Sequence, residues 1–293
     1  MHKKEIIIAC LILVFAAVVF AFSIVELNHL REEKVGILAL QSQKEQNDKE
    51  KLVILQEIAL LSPTENNFLN AGVQADKINY NKISEFYFKK VHTDVGLYRL
   101  ANIYFKDKKY KEAEKTLLKI HNQNNTSLQL MADTYLYMGE FEKAQKNCDR
   151  LEEENKLKDN CALVYLVRGK DEKIKPKNMS VTISQIAAVS NSQSRALKIY
   201  FYLNAHVNPQ SAWIYLKGQG EKLKTSRDGN IVFGNEHFNN NDYIKAAEYL
   251  EVARKIDPYY PQVYEHLIEV YRKLGNSKLE EEYSKTLKNL IWH

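Results

Sequence analysis

Two stretches of this 293-residue chain are one helical hairpin written twice. Leu100, Ala101, Tyr104, Tyr110, Ala113, Leu117 and Ile120 recur as Met131, Ala132, Tyr135, Phe141, Ala144, Cys148 and Leu151, each 31 residues further on. Within a copy the first three fall at i, i+1 and i+4 and the rest at i, i+3, i+7 and i+10, the spacing of apolar faces on two successive helices. A hairpin of this size cannot bury its apolar face alone, so a chain built this way must stack its hairpins. Ala101, Ala113, Ala132 and Ala144 let helix backbones approach closely. The turns are KDKK and YMGE, and Gly139 stands where a helix ends on a residue with positive φ.

The C-terminal part supplies two further copies. Phe233, Gly234, His237, Tyr243, Ala246, Leu250 and Ala253 keep the same spacing, Asp257-Pro258 closes the unit, and Leu267, Ile268, Tyr271 and Gly275 begin another 34 residues later. With this step the sequence resembles the tetratricopeptide repeat (TPR) family, whose 34-residue repeat places large apolar, small, Tyr, Gly, Tyr/Phe, Ala and Pro residues at these offsets. RLANIYFKDKKYKEAEKTLLKI, LMADTYLYMGEFEKAQKNCDRL and VFGNEHFNNNDYIKAAEYLEVARKIDP carry the resemblance, the third most closely. It implies an all-α fold, a TPR-like α-solenoid of helical hairpins, and a role in binding proteins.

At the other end, residues 6–25 (IIIACLILVFAAVVFAFSIV) hold no charge. At about 1.5 Å per residue this run spans roughly the 30 Å hydrocarbon core of a bilayer. It reads as an N-terminal transmembrane helix ahead of the solenoid. Lys3 and Lys4 precede it, which keeps residues 1–5 in the cytoplasm and sends the remainder outward. A cleaved signal peptide is the competing reading, because Ala21-Phe22-Ser23 has the small-x-small form of a cleavage site. The anchor is preferred because the run exceeds the usual apolar core of about 7–15 residues in a signal peptide.

Residues 26–62 are polar and helix-permissive but lack a sustained heptad, so they read as a helical stem lifting the repeats off the membrane. Residues 63–154 hold one degenerate repeat, opened by Ser62-Pro63-Thr64-Glu65, and the two clear ones. Residues 155–226 read as irregular helical hairpins broken at Pro176, with Pro209 at a helix start. Residues 227–293 are the C-terminal repeats and a polar capping helix.

The chemistry this excludes is broad. Basic and acidic residues, 42 and 37, are mixed along the chain with no long cationic run, so no nucleic-acid partner is expected. Gly218-Gln219-Gly220 and Gly169-Lys170 lack the spacing of a phosphate loop. The eight His show no metal-binding spacing, and His237, where the repeat carries Tyr, reads as a packing residue. No catalytic residue, cofactor, metal or small-molecule substrate is expected; the chain does not read as an enzyme. Cys148 and Cys161 would form a disulfide in an oxidising compartment, or serve as two small core residues; the packing position of Cys148 favours the second reading.

The resemblance implies a partner-binding groove lined by first-helix residues not spent on packing. These are Tyr98, Arg99, Asn102, Phe105 and Lys106, then Gln129, Asp133, Leu136 and Tyr137, then Ile231, Asn235, Phe238, Glu265 and Glu269. Aromatic faces and amides of this kind suit an extended peptide or a partner helix. The carboxylate clamp of chaperone-binding TPR proteins is matched only at Asn102, with Tyr98 where a clamp Lys would stand, so recognition of chaperone tails is disfavoured. The resulting expectation is a single-pass membrane protein of a bacterial envelope, scaffolding envelope or membrane proteins during secretion, pilus or envelope-complex assembly. Two alternatives are a glycan-binding or enzyme-accessory module with a second site around Trp213, and an adaptor whose repeats face the cytosol.

Overall fold

The computed structural model describes residues 2–153, 159–173, 181–189 and 191–291, with side chains from residue 16 onward except at 152, 153, 159, 171 and 181. Among them only helices form, and the chain divides into two compact units, Met1–Gln123 and Asn124–His293.

The first unit contains α1 (His2–Lys44), α2 (Asp48–Leu61), α3 (Glu65–Lys77), α4 (Asn81–Phe88), α5 (Asp94–Lys106) and α6 (Tyr110–Leu117). Residues 26–44 and 48–61 are helical, yet they do not form one extended rod. Asn47 caps α2 by accepting from the backbone N–H of Lys49 and Glu50, so the polar stretch at 41–50 contains a turn. Helix α2 then doubles back along the second half of α1: Lys34 pairs with Glu57 at 2.6 Å, and the Arg31 guanidinium donates to the Leu61 carbonyl. Leu38 of α1 and Leu52, Ile58 and Ala59 of α2 are buried, Ala59 against Ala71 and Tyr87. The apolar residues too few for a coiled coil are enough for one antiparallel hairpin, which passes its inner face on to α3 through Ala59, Ala71 and Tyr87.

Residues 6–15 of the apolar run lie outside the residues whose side chains are described. Among the described residues no helix is long and apolar enough to cross a membrane. From residue 16 the helix carries Val18, Phe20, Phe22 and Val25 exposed.

One turn recurs through both units. Asn79, Lys108, Gly139, Gly169, Asn241 and Gly275 all have positive φ, between 60° and 74°. In each case the N–H of the next residue reaches back to a carbonyl five positions earlier in the helix: Tyr80 to Ala75, Lys109 to Tyr104, Glu140 to Tyr135, Lys170 to Tyr165, Asp242 to His237 and Asn276 to Tyr271. This is the Schellman closure, which satisfies carbonyls left open at a helix end. Its recurrence shows that Gly169 continues the repeat pattern, so Gly169-Lys170 is a helix cap. The degenerate repeat at 63–92 carries the same closure, and Thr64 caps α3 by accepting from Asn67 N–H.

The second unit opens with α7 (Asn125–Met138), α8 (Phe141–Glu153) and α9 (Asp159–Arg168), followed by a 3-10 turn at Asp171–Lys173 and α10 (Val181–Ala187). It continues with α11 (Ser192–His206), α12 (Pro209–Gly218) and the single turn α13 (Gly220–Leu223). The C-terminal hairpins are α14 (Arg227–Asn239) with α15 (Tyr243–Ile256), and α16 (Pro261–Lys273) with α17 (Ser277–Ile291). Pro209 occupies the first turn of α12, where its missing N–H costs nothing. In α14, a Cβ on Gly234 would lie 2.7 Å from Leu250 Cγ, so only glycine allows this approach of α15. Ala246, Leu250, Ala253, Val263 and Leu267 form the C-terminal core, over which α17 lays Tyr283 and the partly buried Leu279, Leu287 and Leu290.

Cys148 on α8 and Cys161 on α9 are joined by a disulfide, with Cα atoms 5.5 Å apart and both side chains fully buried. The favoured reading, two small core residues instead of a bridge, is corrected: Cys148 does take a core position, and from it reaches Cys161 to form the bridge.

Candidate partner-binding site

The first helix of a hairpin packs one face inward, and the other face is the expected partner-binding surface. In the first unit, α5 buries Leu97, Leu100, Ala101 and Ile103 and turns Tyr98, Arg99, Asn102 and Phe105 to half-buried positions. Phe105 meets Tyr110, the first residue of α6, edge to face at 5.6 Å. Arg99 and Lys106 lie 3.5 and 3.9 Å from Asp76 on α3, so both cations face a carboxylate of the neighbouring first helix. Between them the half-buried Asn102 has no hydrogen-bond partner for its amide among the described residues.

The C-terminal hairpin of the second unit repeats this arrangement. Phe238 meets Tyr243 edge to face at 5.4 Å, and Asn235, half-buried one turn earlier, has no partner for its amide among the described residues. Ile231 packs partly against the C-terminal core, while Glu265 and Glu269, at the equivalent positions of α16, are exposed. An aromatic pair beside an unpaired amide offers apolar contact and one donor and one acceptor, which is what a peptide backbone requires.

The middle of the expected groove is different. Leu136 is fully buried and Gln129 nearly so; neither lines an open face. Gln129 Nε2 donates to Asp133 at 2.8 Å, and Asn160 on α9 donates to the same oxygen at 2.9 Å, so Asp133 is enclosed in a network within the unit. The end of α7 is covered by the start of α12. Ser211 Oγ donates to the carbonyls of Leu136 and Tyr137, Asn208 Nδ2 donates to the Tyr137 carbonyl, and Tyr137 OH reaches the His206 carbonyl at 3.5 Å. Ile214 sits against Gly139, where a Cβ would lie 2.4 Å from its Cδ1. Four of the expected lining positions are therefore taken up by the chain itself. Sequence reasoning missed this because the contact joins segments some 70 residues apart with no shared repeat register.

A second concavity was not assigned from sequence beyond the notice of Trp213. It lies between α12, α13, α14 and α15, has a volume of about 470 Å³, and is walled by Trp213, Phe233, His237 and Tyr249. His237 packs, as expected: it is 5.4 Å from both the Trp213 and Tyr249 rings, and its Nδ1 lies 3.3 Å from Asp242. Among the described residues no group of His, Cys, Asp and Glu is placed to hold a metal ion.

No protein-family model matches the sequence and no curated protein matches it. Solved structures do resemble it. A tetratricopeptide repeat protein from Parabacteroides merdae is 12% identical, with a TM-score of 0.43 over 81% of this chain and 99% of that one. MamA of AMB-1 is 11% identical, with a TM-score of 0.25 over 68% of this chain and 91% of that one. Cut9, from the APC/C hetero-tetramer Cut9–Hcn1, is 10% identical, with a TM-score of 0.34 over 90% of this chain and 68% of that one. The TPR-like character of the chain rests on its own recurring hairpins and turns.

Proposed function

We propose that the protein is a membrane-anchored, non-enzymatic TPR-like scaffold that binds a peptide or helix of a partner protein on the open first-helix faces of its units. The observation that carries this reading is the recurrence, at equivalent positions of α5 and α14, of a half-buried asparagine amide without a partner beside an edge-to-face Phe–Tyr pair. Each amide stays accessible to water, so a ligand would exchange a bond to water for a bond to protein, a net gain of about 0.5–1.5 kcal/mol. The anchor reading is supported by the uncharged run at 6–25 and by the exposed apolar residues of α1 from Val18 to Val25. An extracytoplasmic site, in a bacterial envelope engaged in secretion, pilus or envelope-complex assembly, agrees with the buried Cys148–Cys161 bridge. There the anchor would confine the binding faces to the membrane surface and raise their effective concentration near membrane-bound partners.

Two experiments test the proposal. The variants N102A/F105A and N235A/F238A should lose a partner that co-purifies stoichiometrically with the native chain while keeping full helical circular dichroism; unchanged capture by both would refute these faces. Ser277→Cys, in a background with Cys148 and Cys161 replaced by Ala, should react with a membrane-impermeant thiol reagent in intact cells. Reaction only after lysis would place the repeats in the cytosol.

A further inference from the structure

The cleft at Trp213 combines two features that a packing seam does not need. Its walls are aromatic: Tyr249 stacks nearly parallel on Phe233 and His237, at 17° and 12°, and Trp213 stands at 89° to His237. Its rim is cationic, with four lysines. Two are neutralised, Lys224 by Glu221 at 2.8 Å and Lys245 by Asp242 at 3.2 Å. The other two, Lys217 and Lys222, are exposed and have no carboxylate partner among the described residues. The cleft therefore presents two uncompensated positive charges above an apolar corner.

We infer that this cleft is a second binding site, separate from the first-helix faces, and that it takes an acidic peptide segment in which an aromatic or large aliphatic side chain neighbours carboxylates. The apolar side chain enters the corner between Trp213 and Tyr249, and the carboxylates pair with Lys217 and Lys222. A volume of about 470 Å³ holds one such side chain and its neighbours. The geometry favours a peptide over an anionic sugar. A sugar stacks on one open ring face, but here the Lys217 ammonium lies 5.4 Å over Trp213, and the rings meet as a corner instead of a platform. Trp213 and Lys217 come from α12, Tyr249 from α15, and Phe233 and His237 from α14, and none of them is a groove residue named above. It extends the scaffold reading to a second contact on a protein partner but is tested independently of it.

Trp213 and Trp292 are the two tryptophans of the chain. In the full chain carrying Trp292→Phe, held in detergent, Trp213 fluorescence reports the cleft directly. Titration with the blocked peptide acetyl-Asp-Glu-Phe-Asp-Glu-amide should give a saturable change, and the same peptide with lysine for each acid should give none. K217A/K222A should weaken binding by about threefold to tenfold, the loss expected for two exposed charge pairs. N235A/F238A should leave it unaltered, and circular dichroism should show both variants folded. Absence of a saturable change, or equal binding by K217A/K222A, would overturn the inference. Tighter binding of a glucuronate–N-acetylglucosamine disaccharide than of the peptide would overturn it in favour of an anionic glycan. Loss of partner capture in N235A/F238A together with a failed peptide titration would leave the scaffold reading standing and remove this one.

Discussion

The hydroxyl of Ser211 donates to the carbonyl of Leu136 at 2.7 Å, a bond between residues 75 positions apart. It is fully buried, and through it the start of α12 closes over the end of α7. Ser211→Ala removes this donor, but Leu136 O keeps the Gly139 N–H and Tyr137 O keeps Asn208 Nδ2, so the loss is that of ordinary hydrogen bonds, about 0.5–1.5 kcal/mol. Denaturant unfolding should show that loss, and no change in midpoint would mean that the contact does not hold the second unit together.

Gly139 is required twice over, by its φ of 74° and by Ile214 against its Cα. Gly139→Ala should destabilise by about 2 kcal/mol or more, from a left-handed alanine plus the clash. Combining it with Ile214→Ala should remove the clash but not the backbone strain, so the double mutant should be more stable than the two single losses predict. Strict additivity would show that the two residues do not touch.

Asp94, at the first position of α5, accepts from the backbone N–H groups of His121 and Asn122, and these bonds hold its carboxyl below the ordinary value of 3.8. A depressed carboxylate stabilises the fold fully above its unfolded pKa and loses that contribution as pH falls through its folded value. Thermal unfolding of the native chain should therefore become acid-sensitive below about pH 4. Asp94→Asn should lower the midpoint at pH 7 and flatten the acid limb. Parallel limbs for the two proteins would assign the sensitivity elsewhere.

The Cys148–Cys161 bridge closes a loop with a sequence separation of 13, for which chain entropy gives about 3 kcal/mol. Thermal unfolding with and without reductant should differ accordingly, and C148A/C161A should behave like the reduced protein. Indifference to reductant would show that the cysteines serve packing alone.

The hairpins were legible because their determinants are local. Apolar spacing, the small residues at 101, 113, 132 and 144, and glycine at 139 and 275 act within one or two turns of helix, and each of the repeats they mark is present. Lys108, Asn79 and Asn241 adopt the same left-handed turn without glycine, so that signal was invisible at those positions. What could not be read was contact between distant segments. Nothing near Leu136 announces that Ser211 and Ile214 will cover it, and no spacing rule brings Trp213 to Tyr249. The fold-back of α2 was hidden for a related reason: Leu38, Leu52, Ile58 and Ala59 are too sparse to form a recognisable period, yet they suffice once α3 supplies the other half of their core.

Whether the asparagine–aromatic faces touch a protein partner is decided most directly in intact cells. A photo-crosslinking amino acid placed at position 235 or 102 in intact cells should yield one discrete adduct, the same from both positions, while position 136, buried beneath α12, should yield none. Adducts from position 136 equal to those from 235, or none from either asparagine position, would contradict the account.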